Sequence, residues 1–220
     1  MFKDTNFAKL TPANLGLFSQ CFHRFVAWSY YISFFFKNQI VITGKNNLPP
    51  RSFGSYIVAA THSSTFDPPI VSSATCRPVA YMSKKELFTP WLKGIGYRLV
   101  GAFSVNRDKL EMATIRTSKV VLESGDWLLG IFPEGTRSKD GQVHQPKKGV
   151  AFMAKTCNKP ILPIGIAWVP RKNKKYPKLV VHIGELIPVS PQSDLEALTQ
   201  LVQERLNTLQ IQAENTKLDS

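Results

Sequence analysis

Six short apolar runs, at 56–60, 79–82, 102–105, 127–132, 161–167 and 179–183, recur from Tyr56 onward, each too short for a helix and carrying β-branched or aromatic residues. Such runs read as buried strands. Helical stretches stand between and after them: 108–124, opening on Asp108 as a cap with Glu111 three residues on, then 147–157 and 191–212. Strands that are apolar throughout must be covered on both faces, and the intervening helices are what cover them. The pattern predicts an α/β fold: one domain whose mixed, largely parallel central sheet is flanked by helices. A chain of 220 residues suffices for one substantial core.

The segment before that alternation is of another kind. Within 15–41, the twelve residues from Phe25 to Phe36 are aromatic and apolar, bracketed by His23 and Arg24 on one side and Lys37 on the other. As a helix this run spans about 18 Å, against about 30 Å of bilayer hydrocarbon. A simple crossing is not expected. Trp28, Tyr30 and Tyr31 suit headgroup depth, which favours a helix lying in the interface over one packed on the protein body. The two prolines within 46–51 mark a hinge. The expected division is therefore an N-terminal helical membrane-association segment at 1–45, a domain at 46–212 and a polar tail at 213–220.

Lys and Arg number 28 against 15 Asp and Glu, a formal charge of +13, so the expected partner is polyanionic: phosphate headgroups, nucleic acid or an acidic protein. The basic run at 171–178 is the best feature of a nucleic-acid reading, but no helix-turn-helix or aromatic RNA platform accompanies it. Cys21, Cys76 and Cys157 show no C-x-x-C spacing, which argues against a disulfide framework or zinc knuckle and for a reducing compartment. No charged stretch leads into an early apolar run, so no cleavable signal peptide is expected.

Two polar runs carry the chemistry. His62 follows directly on a strand, at the sheet edge where open α/β sheets place their sites. Asp67 lies five positions later; a straight helix would set the two side chains about 140° apart, so they meet only across a turn. Pro68 and Pro69 bar Asp67 from a helix interior, and Ser63, Ser64 and Thr65 bond readily to nearby backbone. A carboxylate on one imidazole nitrogen fixes the tautomer and frees the other as a base. The bland alternative makes Asp67 a helix cap before Pro68. In the second run, from Phe132 to Ser138, Gly135 lets backbone approach a ligand, Arg137 can clasp a phosphate, Thr136 and Ser138 add hydroxyls, and Glu134 can orient the arginine or bond a substrate hydroxyl. Its alternative is a polar turn with a solvated arginine. Arg107 is a further phosphate donor or a surface charge. No serine-hydrolase elbow, P-loop or H-E-x-x-H is present.

The blocks His62-x4-Asp67, 101–107 ending in Arg107, 132–138 and 161–164 resemble, in order and spacing, the four sequence blocks of the glycerolipid acyltransferases. The resemblance covers about residues 50 to 190, and the most similar subgroup is the 1-acyl-sn-glycerol-3-phosphate acyltransferases. It implies acyl transfer from a thioester, acyl-CoA or acyl-acyl carrier protein, to the 2-hydroxyl of lysophosphatidate, with no metal and no cofactor beyond that co-substrate. Glycerol 3-phosphate or another lysophospholipid is the alternative acceptor, and a noncatalytic binder of anionic lipid the alternative class. By position, His62 matches the family's base and Asp67 the residue that orients it. Arg107, Glu134, Gly135, Thr136 and Arg137 fall in the blocks tied to the acceptor's phosphate, and Lys84 where relatives carry a lysine facing the site. Ser104 departs from the bulkier aliphatic of relatives, and 161–164 matches the fourth block loosely. The implied location is the cytoplasmic face of a membrane, peripheral or monotopic, with an anionic membrane surface as partner and no nucleic acid.

Overall fold

Four of the apolar runs become strands buried from end to end or nearly so, and their pairing sets the whole architecture. The computed structural model describes residues 16–37, 39–89, 91–105, 111–135, 148–172 and 174–216. In chain order the elements are α1 (Gly16–Lys37), β1 (Ile40–Thr43), β2 (Ile57–Ala60), α2 (Asp67–Thr75), β3 (Val79–Lys84), α3 (Trp91–Leu99), β4 (Phe103–Val105), α4 (Met112–Glu123), β5 (Leu128–Ile131), α5 (Gly149–Cys157), β6 (Ile161–Val169), β7 (Lys178–Ile183) and α6 (Leu195–Glu214). They build a seven-stranded sheet in the order β1-β7-β6-β2-β5-β3-β4, parallel throughout except for the antiparallel β6–β7 pair. Because β2, β5, β3 and β4 are mutually parallel neighbours, their carboxyl ends open onto one edge.

Side chains alternate between two cores. Val58, Ala60, Val79, Tyr81 and Leu128 face α2, with Ile70, Val71 and Ala74 covering them. Ile57, Ala59, Ala80 and Leu129 face the other way, against Val121 of α4, Val150 of α5 and Leu206 of α6. Gly130 of β5 sits between Val58 of β2 and Tyr81 of β3, and a Cβ there would come within 2.4 Å of the Tyr81 ring. The glycine is what lets that ring lie flat over the middle of the sheet.

Several expectations need correcting. Ile40–Thr43 is not part of a helical membrane segment; it is an edge strand parallel to β7, with a β-branched Ile-Val-Ile-Thr sequence suited to that place. The expected hinge at 46–51 is two short 3-10 turns, tied to the sheet by Asn47 Nδ2 donating to the Ile183 carbonyl at 2.9 Å. The helix expected from Asp108 begins at Met112 among the described residues, and Asp108 itself lies outside them. The last helix starts at Leu195, where Asp194 accepts the Ala197 N–H at 2.7 Å, rather than at 191. It runs past the expected tail boundary, burying Ala213 against Ala167 and Val180. The helix α3 was not foreseen, and α2 entered only as the alternative in which Asp67 caps a helix before Pro68.

Polar ties dock α1 on the domain, among them Gln20 Nε2 donating to Asp126 Oδ2 at 3.2 Å and three more deeply set ones. Ser19 donates to the Leu99 carbonyl at 2.9 Å, and Ser73 of α2 donates to the Ala27 carbonyl at 2.9 Å. The third is His23, whose Nδ1 donates to the Val100 carbonyl at 2.7 Å while Nε2 accepts the Val79 N–H at 3.3 Å. The bond accepted at Nε2 demands the neutral ring. Burial accordingly lowers the His23 pKa from 6.5 to about 4. A site that binds its proton less readily when folded loses stability as pH falls below the ordinary value. The loss accumulates between about pH 6.5 and 4 and amounts to roughly 3 kcal/mol at the lower end. Thermal unfolding across that range should show wild type losing stability faster than a His23→Gln variant; parallel slopes would rule the account out.

Candidate active site

His62 leaves β2 on the α2 face, the same side as Val58 and Ala60. The residue before it is anchored: Thr61 Oγ1 donates to Gln210 Oε1 of α6 and accepts the Ile166 N–H of β6, both at 2.9 Å. The chain then turns at once, and Asp67 becomes the first residue of α2, with Phe66 at the capping position and Pro68 just inside. The Asp67 carboxylate does not cap that helix. It points back into the turn, where Oδ2 accepts the Ser63 N–H at 2.8 Å, the Ser64 N–H at 2.7 Å and His62 Nδ1–H at 2.8 Å. Oδ1 accepts Trp168 Nε1–H of β6 at 3.3 Å.

Asp67 is wholly buried, and His62 keeps 15% of its side chain exposed. With Nδ1–H committed to the carboxylate, Nε2 carries the lone pair, and it meets no hydrogen-bond donor among the described residues. Such an arrangement is able to act as a general base: one ring nitrogen fixed, the other presented to whatever enters. The ring plane is set by stacking. His62 lies on Phe132 with centroids 4.1 Å apart and planes 21° apart, and Phe132 lies on Tyr81 at 5.5 Å and 9°. Tyr81 is buried, which holds its phenol far above its ordinary pKa, and its hydroxyl donates to the Pro68 carbonyl at 2.8 Å. It is a wall of the site and cannot serve as a base.

Beside β2, the end of β5 brings in the second expected run. Glu134 is buried, and its Oε1 accepts the His62 backbone N–H at 3.4 Å, joining the two runs directly. Gly135 adopts a left-handed φ of 69° and closes a turn by donating to the Phe132 carbonyl at 3.0 Å. Arg107, Thr136 and Arg137 lie outside the described residues. Lys84 is at the end of β3, where alternation places it on the face of Ala80 and Met82 with its side chain exposed. Ser83, one residue earlier, is the one on the His62 face, and with Thr65, Phe66, Pro68, Tyr81, Val26, Tyr30, Gly96 and Tyr97 it lines a largely apolar groove of about 590 Å³ between α1, α2 and α3.

Sequence reasoning did not find Trp168, the Tyr81–Phe132 stack or Gln210. None belongs to a local motif; only the sheet order, which sets β6 and β5 on either side of β2, brings them to His62.

The acyltransferase family model matches residues 39–167, from just before β1 to the seventh residue of β6. Over 177 residues the chain is 28% identical to the 1-acyl-sn-glycerol-3-phosphate acyltransferase of Borreliella burgdorferi, covering 78% of this chain and 68% of that protein. Over 199 residues it is 26% identical to the Bacillus subtilis protein of the same name, covering 86% and 96%. The crystal structure of the 1-acyl-sn-glycerophosphate acyltransferase from Thermotoga maritima superposes with a TM-score of 0.68 at 23% identity, over 89% of this chain and 80% of that one. That likeness is one of fold. The family match spans His62, Asp67, Glu134 and the strands that carry them, and it makes this chain a member of the acyltransferase family and an enzyme that transfers acyl groups.

Proposed function

We propose that the enzyme moves a fatty acyl group from a thioester to the 2-hydroxyl of 1-acyl-sn-glycerol 3-phosphate, with His62 as general base. The His62–Asp67 hydrogen bond, with Nε2 left open at the carboxyl edge of the sheet, carries this reading. The relatives' names supply the substrate class. His62 Nε2 takes the hydroxyl proton as the oxygen attacks the thioester carbonyl, and the tetrahedral intermediate collapses with cleavage of the C–S bond. The departing thiolate takes the proton back from the imidazolium and leaves as the free thiol, so the base is regenerated and no acyl-enzyme forms. Asp67 keeps the ring in one tautomer and steadies the cation. Arg107 and Arg137, which follow β4 and Gly135 in the chain, are proposed to hold the acceptor's phosphate, each as a fork of donors.

The apolar groove beside the 62–67 turn suits an acyl chain. Gly96 lines it, and a Cβ at that position would meet nothing within 4 Å, so Gly96→Leu is the substitution chosen to add bulk to the groove. Because each displaced methylene is worth about 1 kcal/mol or more, this variant should lower kcat/KM for the longest chains by about tenfold and leave short chains nearly unchanged. Purified protein should be given acyl-CoA or acyl-acyl carrier protein together with lysophosphatidate, glycerol 3-phosphate or other lysophospholipids, varying donor and acceptor chain length separately. Thiol release and phosphatidate formation are read out. Release that does not depend on lysophosphatidate would refute the assigned acceptor, and no release with any pair would favour a noncatalytic lipid binder.

A further inference from the structure

We infer that Trp168 is a positioning residue for the His62–Asp67 pair and that Phe34 of α1 holds it in that role, an inference that rests on the reading of His62 as base. The two oxygens of the buried Asp67 carboxylate are served unequally. Oδ2 takes three N–H donors from the turn itself: Ser63, Ser64 and the His62 ring. Oδ1 takes the indole N–H of Trp168, which arrives from β6, 101 residues later. Donors on one oxygen fix a point; donors on both fix the plane of the carboxylate. That plane determines the direction in which His62 Nδ1–H is held, and so where Nε2 points. Small misplacements of a reacting group, of about 1 Å, can cost about a hundredfold in rate.

Trp168 is only partly buried and takes support from α1. Phe34 meets its ring edge-on, with centroids 5.6 Å apart and planes at 67°. The same Phe34 ring contacts Phe66 at 5.0 Å and 64°, and Tyr30 adds a second contact to Phe66 at 5.9 Å. Phe66 immediately precedes Asp67. The N-terminal helix thus lays aromatic rings on both neighbours of the carboxylate, one adjacent in sequence and one adjacent in space. α1 is part of the framework of the base and not solely a means of reaching the substrate.

Trp168→Phe keeps a ring against Phe34 and removes only the N–H. It should lower kcat about tenfold, the size of one long hydrogen bond to a charged acceptor, with KM for both substrates within about twofold. In an Asp67→Ala background the same exchange should cost less than about twofold, because the group through which it acts is gone. Phe34→Ala should also lower kcat on a short-chain acceptor dissolved in water, where a helix serving only to hold a bilayer would have no effect. Should Trp168→Phe fail to fold, Phe34→Ala carries the test by itself, since it leaves the indole in place and removes its support. Unchanged kcat in Trp168→Phe, an equal loss in the Asp67→Ala background, or full activity of Phe34→Ala on the dissolved acceptor would each overturn the inference. Retained activity in His62→Ala would instead dispose of the base itself; an inactive His62→Ala beside an unimpaired Trp168→Phe would dispose of the present inference alone.

Discussion

Replacing His62 by alanine is expected to lower kcat by about a thousandfold, the middle of the range for general-base catalysis, while lysophosphatidate still binds. The size of the effect follows from the lack of a substitute near the pair. Tyr81, two rings away in the same stack, is held protonated by burial. His23 is buried, and its acceptor nitrogen already takes the Val79 N–H. Asp67 faces away from the open side of the imidazole, into the turn at 62–64. Asp67→Asn should also be severely impaired, because an amide does not impose the Nδ1–H tautomer. Combined with His62→Ala it should add little, since the two residues act as one unit. Thiol release from an acyl thioester gives kcat, and calorimetric titration with lysophosphatidate shows that binding survives. Undiminished turnover in His62→Ala would sink the mechanism.

Much of this site was legible because its central pair is local. His62 and Asp67 are five residues apart, and the prolines after Asp67 together with the serines before it dictate the turn that joins them. The strands were equally plain, because runs buried on both faces leave no polar alternation to misread. Outside the reach of local pattern stood features that depend on sheet order. Trp168 was placed just beyond an expected strand end at 167, yet β6 continues to Val169 and carries its indole to Asp67. Ile40–Thr43 was absorbed into an apolar N-terminal segment because four β-branched residues beside an aromatic helix give no boundary of their own; pairing with β7 creates it. Lys84 shows a different limit. The motif gave its position along the strand, whereas the period of two decided its face.

Exchanging Phe25, Trp28, Phe35 and Phe36 together for serine should lower binding to vesicles by more than a hundredfold, and activity on vesicle-borne lysolipid with it. α1 is apolar on two opposite sides. His23, Ala27 and Phe34 face the domain, and Leu17, Phe18, Phe25, Trp28, Phe35 and Phe36 are between 58% and 82% exposed. At about 100° per residue these six fall within a sector of about 100°. An exposed apolar stripe of that kind on a soluble surface marks an interaction face. No helix among the described residues is long and apolar enough to cross a membrane. We propose that the exposed stripe is buried in one leaflet of the bilayer carrying the proposed lysolipid acceptor. Arg24 lies on the same side of the helix, and Lys45 shares a cleft with Trp28 and Tyr31, which places cations at headgroup depth. A fully buried aromatic side chain contributes roughly 1.5 kcal/mol or more, so even partial immersion of four gives the stated loss. Binding should strengthen with anionic lipid and weaken with salt. Activity on a water-soluble short-chain acceptor should stay within about twofold, since these four side chains point away from Trp168 and Phe66, in contrast to Phe34. Sedimentation with vesicles of graded anionic content, followed by paired assays on both acceptors, separates the two faces of the helix; equal loss on both acceptors would mean that the outward stripe supports the fold and not the membrane contact.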